Sequence, residues 1–377
     1  HFFNDKTLFI ALKSKKRDGH DYILEAYNKG ARCFLVEKSP LNNYDDANFI
    51  IVKDSLSALQ QWAKKHRSKF KNPVIAITGS NGKTIVKEWL YHFLKGKYNI
   101  SRSPKSYNSQ IGVALSILML NKNHDLALIE AGISKPGEMA KLKDIIQPTH
   151  SILTTIGNAH IENFKNKKQL IKEKLILFKD SKNFFSARFF NDHTYLIEKS
   201  QNSIEILSTC KTATNQIIKY CWKDQNYSFS IPQKDRSSLQ NASTCVNFLL
   251  DFGYSPKELA SLSSNLPSVA LRLEKRKGVN NSIIIDDTYN SDIKSIEIAL
   301  DFLITEKEDR ETIVVLSDIT VDNSNLKQVY AKISSLINQL SNNQFIGIGN
   351  TLKKHSSLFK NGLFFKTTQE FIANLTN

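Results

Sequence analysis

The stretch Thr78-Gly79-Ser80-Asn81-Gly82-Lys83-Thr84 decides how the middle of this 377-residue chain folds. It follows an apolar run at 74–77, typical of a buried parallel strand, and precedes a segment at 85–94 that is predicted to be helical. A glycine-rich turn between strand and helix presents backbone N–H groups and a helix dipole to an anion. The sequence therefore predicts a nucleotide site, in which Lys83 reaches the β- and γ-phosphates and the Thr84 hydroxyl binds Mg²⁺.

The phosphate loop is shorter than the general pattern. That pattern has a glycine five residues before Gly82, where this chain has Ile77. The form present is Gly-x-x-Gly-Lys-Thr, which begins at Gly79. We predict that all its residues contact ATP, namely Gly79, Ser80, Asn81, Gly82, Lys83 and Thr84.

Length and composition indicate a globular protein of two or three domains, because 377 residues exceed one ordinary core. No apolar run approaches the roughly 20 residues that a membrane span needs. The four cysteines form no Cys-x-x-Cys pair, which argues against structural zinc and disulfides and fits a reducing cytoplasm. The chain begins with His1 and shows no signal peptide, so we expect a fragment of a cytoplasmic protein.

The net charge of +16 raises the question of nucleic-acid binding. The basic residues do not gather into an arginine-rich stripe with interleaved aromatic residues, which argues against that class of partner. A basic surface would still help to capture a polyanionic small substrate.

The order of predicted elements gives an α/β fold of three domains. We expect a small N-terminal α/β domain at 1–71, ending at the break Lys71-Asn72-Pro73. A central P-loop domain at 72–266 has a parallel sheet and, from about residue 183 to 230, a small antiparallel excursion. A Rossmann-like α/β domain follows at 267–377.

Polar residues follow two predicted strands of the central sheet. Glu130 ends the run at 126–129, and a carboxylate facing a P-loop is a natural Mg²⁺ ligand, although a solvated glutamate at a strand end would look the same. His160 follows the strand predicted at 152–155, although a lone histidine is more often structural. Both should lie at the carboxyl edge of the sheet, where open α/β folds bind ligands.

Five spaced motifs make the chain resemble the Mur ligase family, the ATP-dependent amide-forming enzymes of peptidoglycan precursor synthesis. The resemblance covers essentially the whole chain and is closest to the members that join D-Ala-D-Ala to UDP-N-acetylmuramoyl-tripeptide. The stretches that carry it are Thr-Gly-Ser-Asn-Gly-Lys-Thr, Ser-Tyr-Asn-x-x-Ile-Gly-Val, Glu-x-Gly-Ile-Ser-x-Pro-Gly-Glu-Met, Thr-x-Ile-Gly-Asn-Ala-His-Ile-Glu and Asp-Asp-Thr-Tyr-Asn-Ser.

The resemblance implies further site residues. It makes Glu130 and His160 ligands of two Mg²⁺ ions and places Asn108 beside the transferred phosphate. Lys174, fourteen residues after His160, matches a lysine that is carbamylated and bridges a metal. Arg272 and Asn290 would close over the nucleotide from the C-terminal domain. The early stretch with Asp18 and His20 would bind the uridine-diphosphate end of the substrate.

The chain also departs from the family pattern. An Asp-Ser-Arg segment before its start and a Lys-Gly-Ser segment after Phe371 are absent, so we expect truncation at both ends. The variant Asn290-Ser291-Asp292 resembles members in which an alanine racemase follows the ligase. Two alternatives stay open: a folylpolyglutamate synthase-like ligase, which shares the central domain, and a non-enzymatic P-loop nucleotide-binding protein.

Overall fold

Strands and helices alternate along the described chain. The structure, a computed structural model, describes residues 7–14, 17–40, 42, 44–157, 161–185, 204–269, 272–288, 293–306, 310–319, 326–340 and 343–375. The strands are β1 (Leu8–Ile10), β2 (Cys33–Val36), β3 (Asn48–Ile51), β4 (Val74–Thr78), β5 (Ile100–Arg102), β6 (Leu126–Glu130), β7 (His150–Leu153), β8 (Lys182–Phe185), β9 (Glu205–Lys211), β10 (Gln216–Trp222), β11 (Gln225–Ile231), β12 (Glu274–Lys277), β13 (Ile283–Asp286), β14 (Thr312–Ser317), β15 (Asn343–Ile348) and β16 (Gly362–Phe365). The helices are α1 (Ile23–Asn28), α2 (Ser55–Arg67), α3 (Lys83–Leu94), α4 (Gln110–Leu118), α5 (Glu138–Ile146), α6 (Lys167–Leu175), α7 (Arg236–Asp251), α8 (Pro256–Ser263), α9 (Ile293–Glu306), α10 (Leu326–Ile337), α11 (Asn350–Lys354) and α12 (Thr368–Leu375).

The central sheet is parallel, with the strand of the P-loop in its middle. Its order is β5-β6-β4-β7-β8, and every pairing within it is parallel. Strands β4 and β6 are buried along their whole length because helices cover both faces of the sheet. The prediction of a parallel P-loop sheet is confirmed, and the carboxyl ends of its strands form one ligand-binding edge.

Side chains of β4 alternate between two cores, as the two-residue period of a strand requires. Ile75 and Ile77 join the core that contains α3, α7 and the strands β10 and β11. Val74 and Ala76 join the core that contains α4 and α5. The P-loop strand is therefore held from both faces by fully buried apolar contacts.

The antiparallel excursion is a separate sheet of order β11-β10-β9, packed on the first of these cores. We expected the antiparallel strands to start near residue 183, and this was wrong for residues 183–185. Strand β8 pairs in parallel with β7, so residues 182–185 belong to the central sheet, and among the described residues the antiparallel pairing begins at β9.

The N-terminal sheet is parallel, of order β1-β2-β3, with its own small core around Phe34. Helix α2, which we assigned to the same domain, packs instead in the second core of the central sheet through Leu59 and Ala63. The buried Arg67 at its end donates hydrogen bonds to the carbonyl oxygens of Ile146 and Gln147, each at 2.7 Å. Helix α2 is thus fastened to the central part.

The C-terminal part has a parallel sheet of order β14-β15-β16 and an antiparallel pair, β12-β13. Helices α9 and α10 pack together in its core, around the buried Tyr330 and Ile333. In the described part of the chain, none of the helices is long and apolar enough to cross a membrane.

Candidate nucleotide and metal site

The turn between β4 and α3 depends on two glycines. Gly79 has φ +148° and Gly82 has φ +83°, both in the region that disfavours side chains. A Cβ atom on Gly79 would lie 2.0 Å from Thr154 Oγ1, and one on Gly82 would lie 2.3 Å from Asn241 Oδ1. The shortened loop predicted from Gly79 onward is therefore a tightly packed turn whose backbone lies close to the side chains of Thr154 and Asn241.

The first turn of α3 has no side-chain cap, as is also true of α5, whereas most other central helices have one. Helices α2, α4, α6 and α7 each begin with a side chain that accepts a hydrogen bond from a backbone N–H group. Helix α3 begins at Gly82 without a side-chain cap. Its first N–H groups are thus available to an anion, where the positive end of the helix dipole also favours negative charge.

Lys83 lies folded over the loop. Its Nζ donates hydrogen bonds to the carbonyl oxygens of Gly79 at 3.0 Å and Ser80 at 3.1 Å. The ammonium group is therefore held at the turn between β4 and α3, and its contact with phosphates stays a prediction.

Thr84, Glu130 and Asn108 meet at the carboxyl end of β6. The Thr84 hydroxyl lies 3.1 and 3.0 Å from the two oxygens of Glu130, and Asn108 Nδ2 donates to Glu130 Oε1 at 2.7 Å. Glu130 is fully buried, and the carbonyl oxygen of Asn108 accepts from the N–H of Gly132 at 2.8 Å. Residues distant in sequence thus form one cluster next to the P-loop.

This donor set fits Mg²⁺. A hydroxyl, a carboxylate and an amide are hard oxygen ligands, and Mg²⁺ is usually held by one or two such side chains together with substrate phosphates. The described residues contain no group of three or more His, Cys, Asp or Glu side chains arranged to hold a metal. Among the described residues, Thr84 and Glu130 could hold a metal together with a bound nucleotide.

Lys174 is buried beside the same loop. It is only 3% exposed, and its Nζ donates to the carbonyl oxygen of Gly79 at 3.2 Å, the same oxygen that Lys83 contacts. Burial, and secondly the charge of Lys83, lower the pKa of Lys174 to about 7. In sequence Lys172 and Lys174 look alike, but Lys172 is exposed.

The low pKa of Lys174 makes a prediction about stability. In the folded state the pKa is about 7, against 10.5 as the ordinary value. Below pH 7, Lys174 is protonated in both the folded and the unfolded state, and its buried charge destabilises the folded state. Between pH 7 and pH 10.5, Lys174 is protonated only in the unfolded state, so the free energy of unfolding rises with pH. We expect Lys174→Met to raise the free energy of unfolding at pH 6–7 by on the order of 5 kcal/mol, since each unit of the pKa difference corresponds to about 1.4 kcal/mol. In denaturant titrations of the metal-free protein, the difference should vanish near pH 10.5; a constant difference would contradict it.

Two contacts of the P-loop were missed in the sequence. Asn241 of α7 lies against Gly82, and Asn81 Nδ2 donates to Ser295 Oγ of α9 at 3.1 Å. The second contact joins the P-loop to the C-terminal part. Asn241 and Ser295 belong to none of the sequence motifs, so only the fold could reveal their contacts with the P-loop.

The structure says less about three other predicted site residues, the ATP ligands Arg272 and Asn290 and the metal ligand His160. Arg272 lies in the segment before β12, where its backbone N–H donates to the carbonyl oxygen of Val269 at 3.1 Å. His160 and Asn290 fall outside the described residues, so their predicted roles stay predictions.

Asp18 and His20 form a hydrogen-bonded pair in the N-terminal part. The ring of His20 is buried, its Nδ1 lies 2.6 Å from Asp18 Oδ1, and its Nε2 accepts from the N–H of Glu37 at 2.9 Å. Both ring nitrogens of His20 are therefore occupied by protein atoms. Asp18 is 30% exposed, so of the two it is the residue that a substrate could reach.

Comparison with known proteins agrees with this geometry. The family described as Mur ligase middle domain matches residues 77–248. The UDP-N-acetylmuramoyl-tripeptide--D-alanyl-D-alanine ligase of Buchnera aphidicola subsp. Acyrthosiphon pisum is 30% identical, over 98% of this chain and 84% of the relative. The chain belongs to the Mur ligase family.

Solved structures support the same fold for this Mur ligase. MurF from Acinetobacter baumannii superposes with a TM-score of 0.81 at 20% identity, over 99% of this chain and 84% of that one. MurF from Thermotoga maritima, solved in complex with ADP, superposes with a TM-score of 0.77 at 22% identity, over 99% of this chain and 88% of that one. The three-part α/β architecture predicted from the sequence is thereby confirmed.

Proposed function

We propose that this Mur ligase is the ATP-dependent enzyme that joins D-Ala-D-Ala to UDP-N-acetylmuramoyl-tripeptide in peptidoglycan precursor synthesis. The observation that carries the proposal is the 30% identity to a ligase of that name along nearly the whole chain. The P-loop and the Thr84–Glu130–Asn108 cluster supply a site for the nucleotide that such an enzyme consumes.

The chemistry activates an acid and then forms an amide. The terminal carboxylate of the tripeptide attacks the γ-phosphorus of ATP, which gives an acyl phosphate and ADP. The amine of D-Ala-D-Ala then attacks the acyl carbon, and inorganic phosphate leaves with the bonding electrons. In this mechanism the α3 N-terminus and Lys83 bind phosphates, Thr84 and Glu130 would hold a metal ion, and Asn108 orients the Glu130 carboxylate.

Mg²⁺, at two sites, and a carbamate on Lys174 belong to the same proposal. Mg²⁺ would neutralise charge where phosphate and carboxylate approach each other. Thr84 and Glu130 are suited to hold one ion, and His160 and Lys174 complete the predicted ligand set. The support for carbamylation is the buried amine of Lys174, whose pKa of about 7 leaves much of it neutral, as reaction with CO₂ requires. The four cysteines, all free, fit a reducing cytoplasm.

The roles of the outer parts are also proposals. We assign the UDP end of the substrate to the N-terminal part, and closure over the nucleotide to the C-terminal part, which already reaches Asn81 through Ser295. The packing of α2 supports a functional boundary of the N-terminal part before Ser55, ahead of the sequence-based boundary at 71/72. The fused alanine racemase stays a prediction.

The decisive test is ATP turnover on matched substrates. Release of ADP should require both UDP-N-acetylmuramoyl-tripeptide and D-Ala-D-Ala, with the amide product detected by mass spectrometry. Turnover with a folate and glutamate would instead favour the folylpolyglutamate synthase-like alternative. Nucleotide binding without any substrate-dependent turnover would favour a non-enzymatic role.

Asp18 provides a test of the N-terminal assignment. We expect Asp18→Ala to raise KM for the UDP-linked tripeptide about tenfold, because the substitution removes the partly exposed carboxylate and the contact that holds the His20 ring. KM for ATP should stay within twofold, since the P-loop lies in the central part. Lys29→Ala, at an exposed pair with Glu25, is the matched control. Equal rises in both KM values would contradict the assignment.

A further inference from the structure

Lys87 is a lysine that the proposed chemistry does not use, yet it is fully buried. It lies one helical turn after Lys83 on α3 and is 0% exposed. Lysines on helices usually extend their ammonium groups to water. A fully buried one therefore requires partners that replace the lost hydration.

The partners of Lys87 come from two elements of the candidate site. Its Nζ donates to the carbonyl oxygens of Ser103, at 2.8 Å, and of Lys105. It also lies 3.6 Å from Oε2 of Glu130, which is equally buried, and 3.2 Å from Oε1 of Glu88. An ammonium has three donor hydrogens, so these contacts saturate it.

The segment that Lys87 holds carries two residues of the site. Ser106 Oγ lies 3.0 Å from Thr84 Oγ1, and Asn108 donates to Glu130. Between the contact at Ser103 and these side chains, Lys105 adopts φ +48°, a conformation that is uncommon for non-glycine residues. The hydrogen bond to the Lys105 carbonyl therefore lies where the chain turns toward Thr84.

We propose that Lys87 is a positioning residue for the metal–nucleotide site. It ties the P-loop helix to the 103–108 segment and to the carboxylate of Glu130, and so sets the relative positions of Thr84, Asn108 and Glu130. It acts through these groups and does not itself touch the nucleotide. The inference deepens the proposed function, because it assumes that Thr84 and Glu130 bind Mg²⁺ with ATP.

The geometry favours this role over simple filling of the core. A methionine would occupy almost the same volume and bury well at a site with 0% exposure. Four polar partners converge on the ammonium instead, and three of them, the carbonyl oxygens of Ser103 and Lys105 and the carboxylate of Glu130, belong to the parts that complete the site. Removing one member of a buried ion pair leaves the charge of the other uncompensated, so the position of the Glu130 carboxylate depends on Lys87.

The test compares Lys87→Met with Lys95→Met, an exposed lysine at the end of the same helix. ATP and ADP affinities are measured by calorimetry with and without Mg²⁺. For Lys87→Met we expect metal-free ATP affinity within about twofold of wild type, and an enhancement by Mg²⁺ that is reduced at least tenfold. Activity should fall in kcat, with KM for the UDP-linked tripeptide unchanged, whereas Lys95→Met should match wild type throughout.

A double variant keeps the inference testable if Lys87→Met folds poorly. Lys87→Met/Glu130→Gln removes both members of the pair, so its melting temperature should lie above that expected from adding the two single effects. Additive losses would overturn the inference, as would full Mg²⁺ enhancement in Lys87→Met or an equal loss of affinity with and without Mg²⁺. Failure of wild type and Lys95→Met to ligate would reject the proposed function alone, because the calorimetry still tests Lys87.

Discussion

Lys83→Ala is expected to abolish ATP-dependent ligation while the protein stays folded. The Lys83 ammonium lies at the loop through the carbonyl oxygens of Gly79 and Ser80, close to the uncapped start of α3. Loss of a charge that stabilises developing phosphate charge costs on the order of 3 kcal/mol or more in the transition state, a rate decrease of at least about 100-fold. Phosphate release at saturating ATP measures the effect, and the melting temperature reports the fold.

The matched control is Lys95→Ala, which removes the same charge from the exposed end of the same helix. It should keep wild-type turnover. Turnover of Lys83→Ala near that of wild type at saturating ATP would remove this loop from the mechanism. An equal decrease in both variants would indicate a general effect of net charge.

The P-loop could be predicted because its information is local. The strand at 74–78, the glycines and Lys83 follow one another in the chain, and each local preference agrees with the fold. Glu130 could be predicted almost as well, because a parallel sheet brings the carboxyl ends of its strands to one edge. The structure adds that this carboxylate is buried and bound to Thr84 and Asn108.

Lys87 and Asn241 could not be predicted, because their importance lies in tertiary contacts. In sequence, Lys87 looks like any charged residue on an amphipathic helix; only the packing of β5, β6 and the 103–108 segment buries it. The domain boundary that we predicted at 71/72 met the same difficulty. Lys71-Asn72-Pro73 is a clear break in the chain, but α2 before it packs on the central sheet, and a break in local pattern does not reveal which core a helix joins.

The sequence alone could predict the role of Lys174 only in part. Only the family resemblance distinguished it from Lys172, and the structure supplies a physical reason: one is buried against the Gly79 carbonyl and the other is exposed. A lysine of ordinary pKa near 10.4 would be neutral in only about one molecule in 2,500 at pH 7. With a pKa of about 7, roughly half of the Lys174 amines are neutral at that pH.

Lys174→Ala is accordingly expected to be nearly inactive, with a loss of at least about 100-fold in kcat, if its carbamate supplies the oxygen ligands of a metal. Added short-chain carboxylates should restore part of the activity, because they can occupy the same space with similar donors. Lys172→Ala should behave like wild type, since its side chain is exposed. Ligation assays with and without acetate, at controlled CO₂, measure all three.

The effects expected for Lys83→Ala and Lys174→Ala are linked, because the two side chains lie at the same loop. The charge of Lys83 contributes to the lowered pKa of Lys174, so removing it should raise that pKa and reduce the neutral fraction available to CO₂. ¹³CO₂ labelling should therefore detect less carbamate in Lys83→Ala than in wild type when both carry Mg²⁺ and nucleotide, and none in Lys174→Ala. Equal labelling in wild type and Lys174→Ala would place the carbamate elsewhere, and an unmodified Lys174 in a metal- and nucleotide-loaded crystal would contradict its proposed role. A bare amine in ligand-free protein would not, because a carbamate is readily lost without its metal.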